Sequence, residues 1–224
     1  MSKNDWYINS IWNEQIETEF EIRLKKSRSN FHKAQYLRTQ AYCLLNSDIK
    51  SFQEKGIQLM NRLFEDYPNE KFNVIQGNEM LGDYYLRMKS FDNAEKHFRI
   101  VTEYYYSETR SGTTGLADLK LSETLLKSKK SDKFQEAYLL ATDKFEKTGG
   151  ELNMNSDKFY YAELMANLCN IMNRKEEASQ YAKDALELSK ISAPEFTRHK
   201  TVGLIKASIE QIENLNEIVK KNNR

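Results

Sequence analysis

Apolar residues recur at helical spacing along most of the chain. Near the N-terminus, Trp12, Ile16, Phe20 and Leu24 stand four residues apart, so they share one face of a helix. Similar patterns predict helices at about residues 5–26, 30–46, 51–67, 71–88, 91–106, 115–129, 132–147, 156–173, 175–190 and 194–220. The stretch 107–115 is rich in Ser, Thr and Gly and is predicted to be a loop.

The residue types that fill these segments favour helices over strands. Proline occurs twice and glycine eight times in 224 residues. Valine, which is typical of strands, stands at only four positions, whereas Leu, Lys, Glu and Ala are abundant. The sequence therefore predicts an all-α fold.

One set of spacings occurs twice along the chain. Leu81-Gly82 is followed by Tyr85, Ala94, Phe98 and Val101, at offsets of 3, 12, 16 and 19 from the glycine. The same offsets relate Ala166, Cys169, Ala178, Ala182 and Ala185. Two further copies with longer turns lie around Ser122 with Ala137 and around Tyr42 with Gly56. Small residues at these positions predict pairs of helices that cross closely.

This pattern resembles the tetratricopeptide repeat (TPR), a family of helical hairpins that stack side by side. The resemblance implies an α-solenoid of about four TPR-like hairpins over residues 29–190, within a single domain that spans residues 1–224. An N-terminal capping helix is expected at 1–28 and a C-terminal capping helix at 193–220. The two ends of the chain, including Phe196-Thr-Arg-His199, also resemble an uncharacterised family of bacterial TPR-like proteins.

The resemblance also implies a binding groove, which the first helix of each hairpin lines. The residues at the family's groove positions, called here the predicted binding face, are Lys33, Tyr36, Gln40, Gln76, Glu79, Asp83, Arg87, Leu119, Glu123, Lys127, Tyr160, Glu163 and Asn167. Tyrosines near both ends are expected to supply affinity, and the charged stripe in the middle is expected to set orientation.

Charge and composition exclude several kinds of partner. Lys and Arg total 34 against 33 Asp and Glu, a net charge of +1, which provides no electrostatic footprint for nucleic acid or an anionic membrane. No apolar run approaches the roughly 18 residues of a membrane span, and no signal peptide is recognised. Cys43 and Cys169 are therefore predicted to be free thiols in a cytoplasmic protein.

The sequence carries no motif for catalysis, a cofactor or a metal. It lacks a phosphate-binding glycine loop, a Cys-x-x-Cys pair and a recognisable nucleophile turn. Its histidines, His32, His97 and His199, lie in separate predicted helices. The chain is expected not to be an enzyme and to need no cofactor or metal.

Three functional interpretations stay open at this point. The favoured one is a non-enzymatic module that binds a protein or peptide in its groove. The second is a regulatory peptide sensor similar to bacterial pheromone receptors, although the single N-terminal helix leaves no room for a DNA-binding module. The third is an immunity or anti-toxin partner.

Overall fold

The computed structural model describes residues 6–222 and is all-helical over that range, which confirms the predicted class. The first half contains α1 (Glu14–Lys26), α2 (Asn30–Leu45), α3 (Lys50–Asp66), α4 (Lys71–Arg87) and α5 (Phe91–Ser107). The second half contains α6 (Ala117–Lys127), α7, α8 (Asn155–Ile171), α9 (Lys175–Ser189) and α10 (Ile209–Asn222). Helix α7 runs from Phe134–Leu139 through a π-helical turn at Leu140–Lys144 to Phe145–Lys147.

The first and last helices are shorter than the sequence predicted. Helix α1 begins only after Asn13, whose side chain accepts a hydrogen bond from the backbone N–H of Ile16 at 2.9 Å and so caps the helix. Part of the predicted N-terminal helix, residues 1–5, lies outside the described residues. The predicted helix over 194–220 is wrong in its first half, because residues 191–208 are irregular and α10 starts at Ile209.

The irregular segment 191–208 forms hydrogen bonds with the start of α8. The carboxylate of Glu195 accepts a hydrogen bond from the backbone N–H of Asn155 at 2.9 Å, and the Gly203 carbonyl accepts one from Ser156 N–H at 3.0 Å. Gly203 adopts a φ of 72°, a left-handed conformation that suits glycine. The segment therefore satisfies backbone donors at the start of α8, which a continuous helix over 194–220 would not do.

The chain divides into two compact units, called here unit 1 (Met1–Thr114) and unit 2 (Gly115–Arg224). The boundary falls in the polar stretch that the sequence predicted to be a loop. In unit 1, α2 pairs with α3 and α4 pairs with α5. In unit 2, α6 pairs with α7 and α8 pairs with α9, while α10 packs against α9 and α8.

Small residues allow close helix crossings within these pairs. In unit 1 the ring of Phe98 lies so near Gly82 that an added Cβ would stand 2.6 Å from it. Gly56 of α3 likewise faces the Ala41 carbonyl of α2, which lies 3.0 Å from the position a Cβ would take. In unit 2 the Ser122 hydroxyl donates to the Ala137 carbonyl at 2.8 Å where α6 meets α7.

Two ion pairs attach α1 to the rest of unit 1. Glu17 pairs with Lys55 of α3, and Glu21 pairs with Arg62 of α3 at 2.5 Å. Between the two helices, Phe20 and Leu24 are buried in the core of unit 1. The α1 helix is therefore held against α3 by charged side chains and shares the core of unit 1 with α2 and α3.

Candidate functional site: the predicted binding face

The predicted binding face on α2 holds the N-terminal segment of the chain. The side-chain amide of Gln40 accepts hydrogen bonds from the backbone N–H and the Nδ2 of Asn9, both at 3.0 Å. Its Nε2 donates to the Asn9 carbonyl at 2.8 Å. Gln40 is fully buried, so all of these bonds are shielded from water. One glutamine thus binds both main-chain groups of a residue that belongs to no helix.

Aromatic rings complete this contact. The ring of Tyr36 lies 4.7 Å from that of Trp6 and 4.6 Å from that of Tyr7, measured between centroids. Trp6 in turn contacts Phe20 of α1 at 5.4 Å. In this structure the ring of Tyr36, which was predicted to anchor a partner, packs against two aromatic side chains of the same chain.

Lys33 lies one helical turn before Tyr36 but faces a different environment. It is half-buried and lines a pocket of about 360 Å³ together with Glu21, Lys25, Arg62 and Tyr67. The structure therefore separates Lys33 from the bound N-terminal segment and places it beside α1 and α3.

On α4 the predicted binding face holds a second irregular segment, residues 108–114. The Nε2 of Gln76 donates a hydrogen bond to the Gly112 carbonyl. The carboxylate of Glu79 accepts hydrogen bonds from the backbone N–H of Thr114, at 3.0 and 3.1 Å, and from its hydroxyl. Carboxylate acceptance of a main-chain N–H is a strong, charge-assisted contact. Gln76 and Glu79 therefore fix this loop against α4.

The other two predicted residues on α4, Asp83 and Arg87, lie in the C-terminal half of the helix. Arg87 is exposed and donates to the Leu45 carbonyl at 2.9 Å and to Asn46 Oδ1 at 3.2 Å, which joins the ends of α4 and α2. Asp83 is half-buried one turn earlier. Glu79, Asp83 and Arg87 thus lie on one face of α4, but they differ in burial and in the residues they contact.

In unit 2 the structure brings several predicted residues together. The Tyr160 hydroxyl on α8 donates to the Glu123 carboxylate on α6 at 2.5 Å. Lys127, one turn further along α6, pairs with the same carboxylate at 2.5 Å. The Tyr160–Glu123 contact joins two neighbouring first helices, while the Lys127–Glu123 pair lies within α6.

The last helix of the chain covers the other predicted residues of unit 2. Gln211 on α10 donates through Nε2 to Glu163 at 2.8 Å, and Asn214 donates to Asn167 Oδ1 at 2.9 Å. Burial raises the pKa of Glu163, the Gln211 hydrogen bond lowers it, and the neighbouring negative charge of Glu123 raises it further. Glu163 and Asn167 therefore face α10.

Three members of the predicted binding face are buried, contrary to the expectation of an open surface. Gln40 and Leu119 are 0% exposed and Glu79 is 5% exposed. Gln40 is covered by the N-terminal segment and Glu79 by the 108–114 loop, whereas Leu119 packs in the core of unit 2. Leu119 is the clearest correction, because an apolar side chain sealed in a core has no surface to offer a partner.

Sequence reasoning missed the residues that cover the face. Asn9, Thr114, Gln211 and Asn214 all supply contacts to predicted positions, and none was singled out. The sequence did contain one signal, the adjacent aromatic residues Trp6 and Tyr7. Both belong to the irregular N-terminal segment and pack against Tyr36.

Titratable and thiol side chains outside this face are dispersed. Among residues 6–222, no group of three or more His, Cys, Asp or Glu side chains could hold a metal ion. Cys43 and Cys169 are free, and burial raises the pKa of each thiol, in Cys169 to about 11. A thiol with a raised pKa is a weaker nucleophile at neutral pH, because less of it is thiolate.

Over the described range 6–222, no helix is long and apolar enough to cross a membrane. No protein-family model, curated protein or solved structure matches the chain.

Proposed function

We propose that the chain is a non-enzymatic module that binds a protein or peptide through the first helices of TPR-like hairpins arranged as an α-solenoid. The observation that carries this proposal is the way α2 and α4 already hold non-helical polypeptide. Gln40 bonds the N–H and the carbonyl of Asn9, Gln76 bonds the Gly112 carbonyl, and Glu79 bonds the Thr114 N–H.

These contacts are made to main-chain groups, which every peptide presents. A face that satisfies the donors and acceptors of an irregular segment in the same chain has the chemistry to do so for a segment of another chain. The aromatic ring of Tyr36 adds apolar area beside those polar groups, which is the combination that peptide-binding surfaces use. This supports peptide binding more directly than binding of a folded domain.

The proposal predicts that first-helix residues matter for partner binding and that second-helix residues do not. Tyr160→Ala removes an aromatic ring and its hydrogen bond to Glu123, and we expect partner affinity to fall by about 1 kcal/mol or more. Reversing the charge with Asp83→Lys should slow association, and added salt should reduce that difference.

The test begins by isolating a partner from native cells with the tagged chain and then measuring its binding to each variant. Lys96→Ala and Lys183→Ala are suitable controls, because both residues are exposed on second helices. Binding that survives the first-helix changes but is lost in Lys96→Ala or Lys183→Ala would place the working surface on the second helices and contradict the proposal.

A further inference from the structure

Arg38 of α2 is a buried guanidinium group without a hydrogen-bond partner. The residue is only 9% exposed, and its Nε and Nη1 atoms are sealed from solvent with no acceptor within hydrogen-bond distance. Burial lowers the pKa of Arg38, yet arginine stays protonated in proteins, so the positive charge persists. A buried cation of this kind is unfavourable unless an anion neutralises it.

An aromatic ring lies beside this charge, and a second ring lies beside the first. The guanidinium carbon of Arg38 lies 5.8 Å from the ring of Phe72, and the rings of Phe72 and Phe31 are 6.4 Å apart. Both phenylalanines are large exposed apolar side chains, at 45% and 42% exposure. The Phe72 ring also packs beside Gly112, so a ligand reaches the guanidinium group when this partly exposed ring rotates away.

Phe72 also marks the start of α4, where further positive potential is available. Helix α4 begins at Lys71, and its N-cap residue Glu70 makes no side-chain capping hydrogen bond. The first turn of a helix carries unsatisfied N–H groups and a partial positive charge that attract anions. The neighbouring Glu108 pairs with Lys71 at 3.3 Å, so this carboxylate does not neutralise Arg38.

A second buried polar atom in the same interface lacks a partner. Asn73, the residue after Phe72, is fully buried, and its Nδ2 lies 3.5 Å from the Phe31 carbonyl while its Oδ1 has no donor. Buried polar groups in folded proteins are nearly always paired. The Asn73 Oδ1 atom needs a donor, whereas the Nε and Nη1 atoms of Arg38 need an acceptor, so Arg38 on α2 is the group of this interface that an anion can pair with.

We propose that the α2–α4 interface of unit 1 binds a small carboxylate, with Arg38 as its cation and the rings of Phe31 and Phe72 as its apolar wall. A carboxylate fits better than a phosphate, because a single guanidinium supplies one positive charge and matches the planar carboxylate in geometry. The aromatic wall favours an acid whose carboxylate is attached to an apolar or aromatic body. This site goes beyond the proposed function, since its ligand is a small anion rather than a partner protein.

Benzoate and benzamide form a matched pair of probes for this site. They share size and shape, but only benzoate carries a charge. Titrated into the full-length ¹⁵N-labelled chain, benzoate should shift the Arg38 Nε–H resonance in a saturable way, and benzamide should leave it in place. Arg38→Lys identifies the resonance by its disappearance. The melting temperature should rise with benzoate, because a ligand that binds only the folded state stabilises it.

Arg38→Met should abolish the benzoate-dependent rise in melting temperature and weaken binding at least tenfold. Arg99→Gln is the control, because it removes the same charge from an arginine that is paired with Glu95 at 2.8 Å. If Arg38→Met does not fold, the titration of the wild-type resonance decides alone. An Nε–H resonance that does not shift with benzoate, or that shifts equally with benzamide, would overturn the proposal. Saturable binding of inorganic phosphate without benzoate binding would overturn the choice of ligand class.

Discussion

The two units cover their predicted binding faces in different ways. In unit 1 the face on α2 and α4 is covered by irregular segments, which are held through main-chain groups by buried side chains such as Gln40 and Glu79. In unit 2 the face on α8 is covered by a helix, α10, which is held through side-chain amides such as Asn214 on half-buried partners.

This difference indicates what each face is built to hold. A helix satisfies its own backbone, so a face that packs against one needs only to match side chains. An irregular segment presents N–H and carbonyl groups that no helix pairs, so a face that holds such a segment must supply partners for them. Unit 1 has those partners, and its face is therefore the one that we expect to bind the main chain of a peptide ligand.

The largest expected effect comes from the helix crossings on which both faces rest. Gly82→Leu places a side chain where the Phe98 ring already leaves no room for a Cβ, and we expect a loss of about 3 kcal/mol in the free energy of unfolding. Ala178→Leu, at a fully buried position of α9, tests the corresponding crossing in unit 2 and should cost about 1–3 kcal/mol.

Denaturant unfolding measures both substitutions. Gln180→Leu, at an exposed position of α9, is the control and should change stability little. If Gly82→Leu and Ala178→Leu leave the midpoint unchanged, the assignment of these residues to close helix crossings fails.

The next effect compares the contacts that cover the two faces. Gln40→Leu removes the partner of the buried Asn9 main chain, and we expect a loss of about 2 kcal/mol. Asn214→Leu removes one half-buried amide contact and should cost less than about 1 kcal/mol. Hydrogen exchange should show residues 6–12 opened in Gln40→Leu. Equal costs for the two substitutions would remove the contrast between the units.

One group in each unit makes the stability of the fold depend on pH, and the two dependences are opposite in sign. Burial and the neighbouring positive charge of Lys96 lower the pKa of His97 in unit 1 to about 4. The His97 ring stacks on Tyr85, and its Nδ1 lies 2.9 Å from Asn78 Oδ1. Since the unfolded histidine has a pKa near 6.5, the unfolded state binds the proton first. Stability is fully present above pH 6.5 and is lost as the pH falls towards 4.

Glu163 in unit 2 behaves in the reverse sense. Its pKa is raised, so the folded state holds its proton more tightly, and stability from this group is lost as the pH rises through the raised pKa. We expect His97→Phe to flatten the acid limb of the stability profile by on the order of 1–2 kcal/mol, allowing for solvent screening. Glu163→Gln should remove the opposing contribution. Urea unfolding at intervals between pH 4 and 7 measures both, and an unchanged acid limb in His97→Phe would contradict this assignment.

Much of the fold could be predicted from the sequence because helix periodicity and close crossings are local patterns. The predicted pairs α4–α5 and α8–α9 have the expected small residues at buried positions, as Gly82 and Ala178 show. The irregular stretch 191–208 was missed because Leu204 and Ala207 continue the helical spacing of Ile212 and Leu215. The contacts of Glu195 and Gly203 with the start of α8, which are distant in sequence, accompany its irregular conformation.

The candidate site was harder to predict, since family positions assign a helix face but not what covers it. Gln40 and Asn9 are 31 positions apart, and Glu79 and Thr114 are 35 apart, so no local pattern relates them. Leu119 was misplaced for a simpler reason. Its side chain is apolar and fully buried, so this position of α6 faces the core of unit 2.

The central claim is that the first-helix face of unit 1 binds non-helical polypeptide, and a peptide exchange experiment tests it most directly. A fluorescein-labelled peptide of residues 1–12 is titrated into a chain that begins at Trp12, in which the N-terminal segment no longer covers Tyr36 and Gln40. Fluorescence anisotropy should show saturable binding that a Gln40→Leu version of the shortened chain loses, while a shortened Gln180→Leu control retains it. Absence of binding to a folded shortened chain, or equal binding to the Gln40→Leu version, would contradict the account.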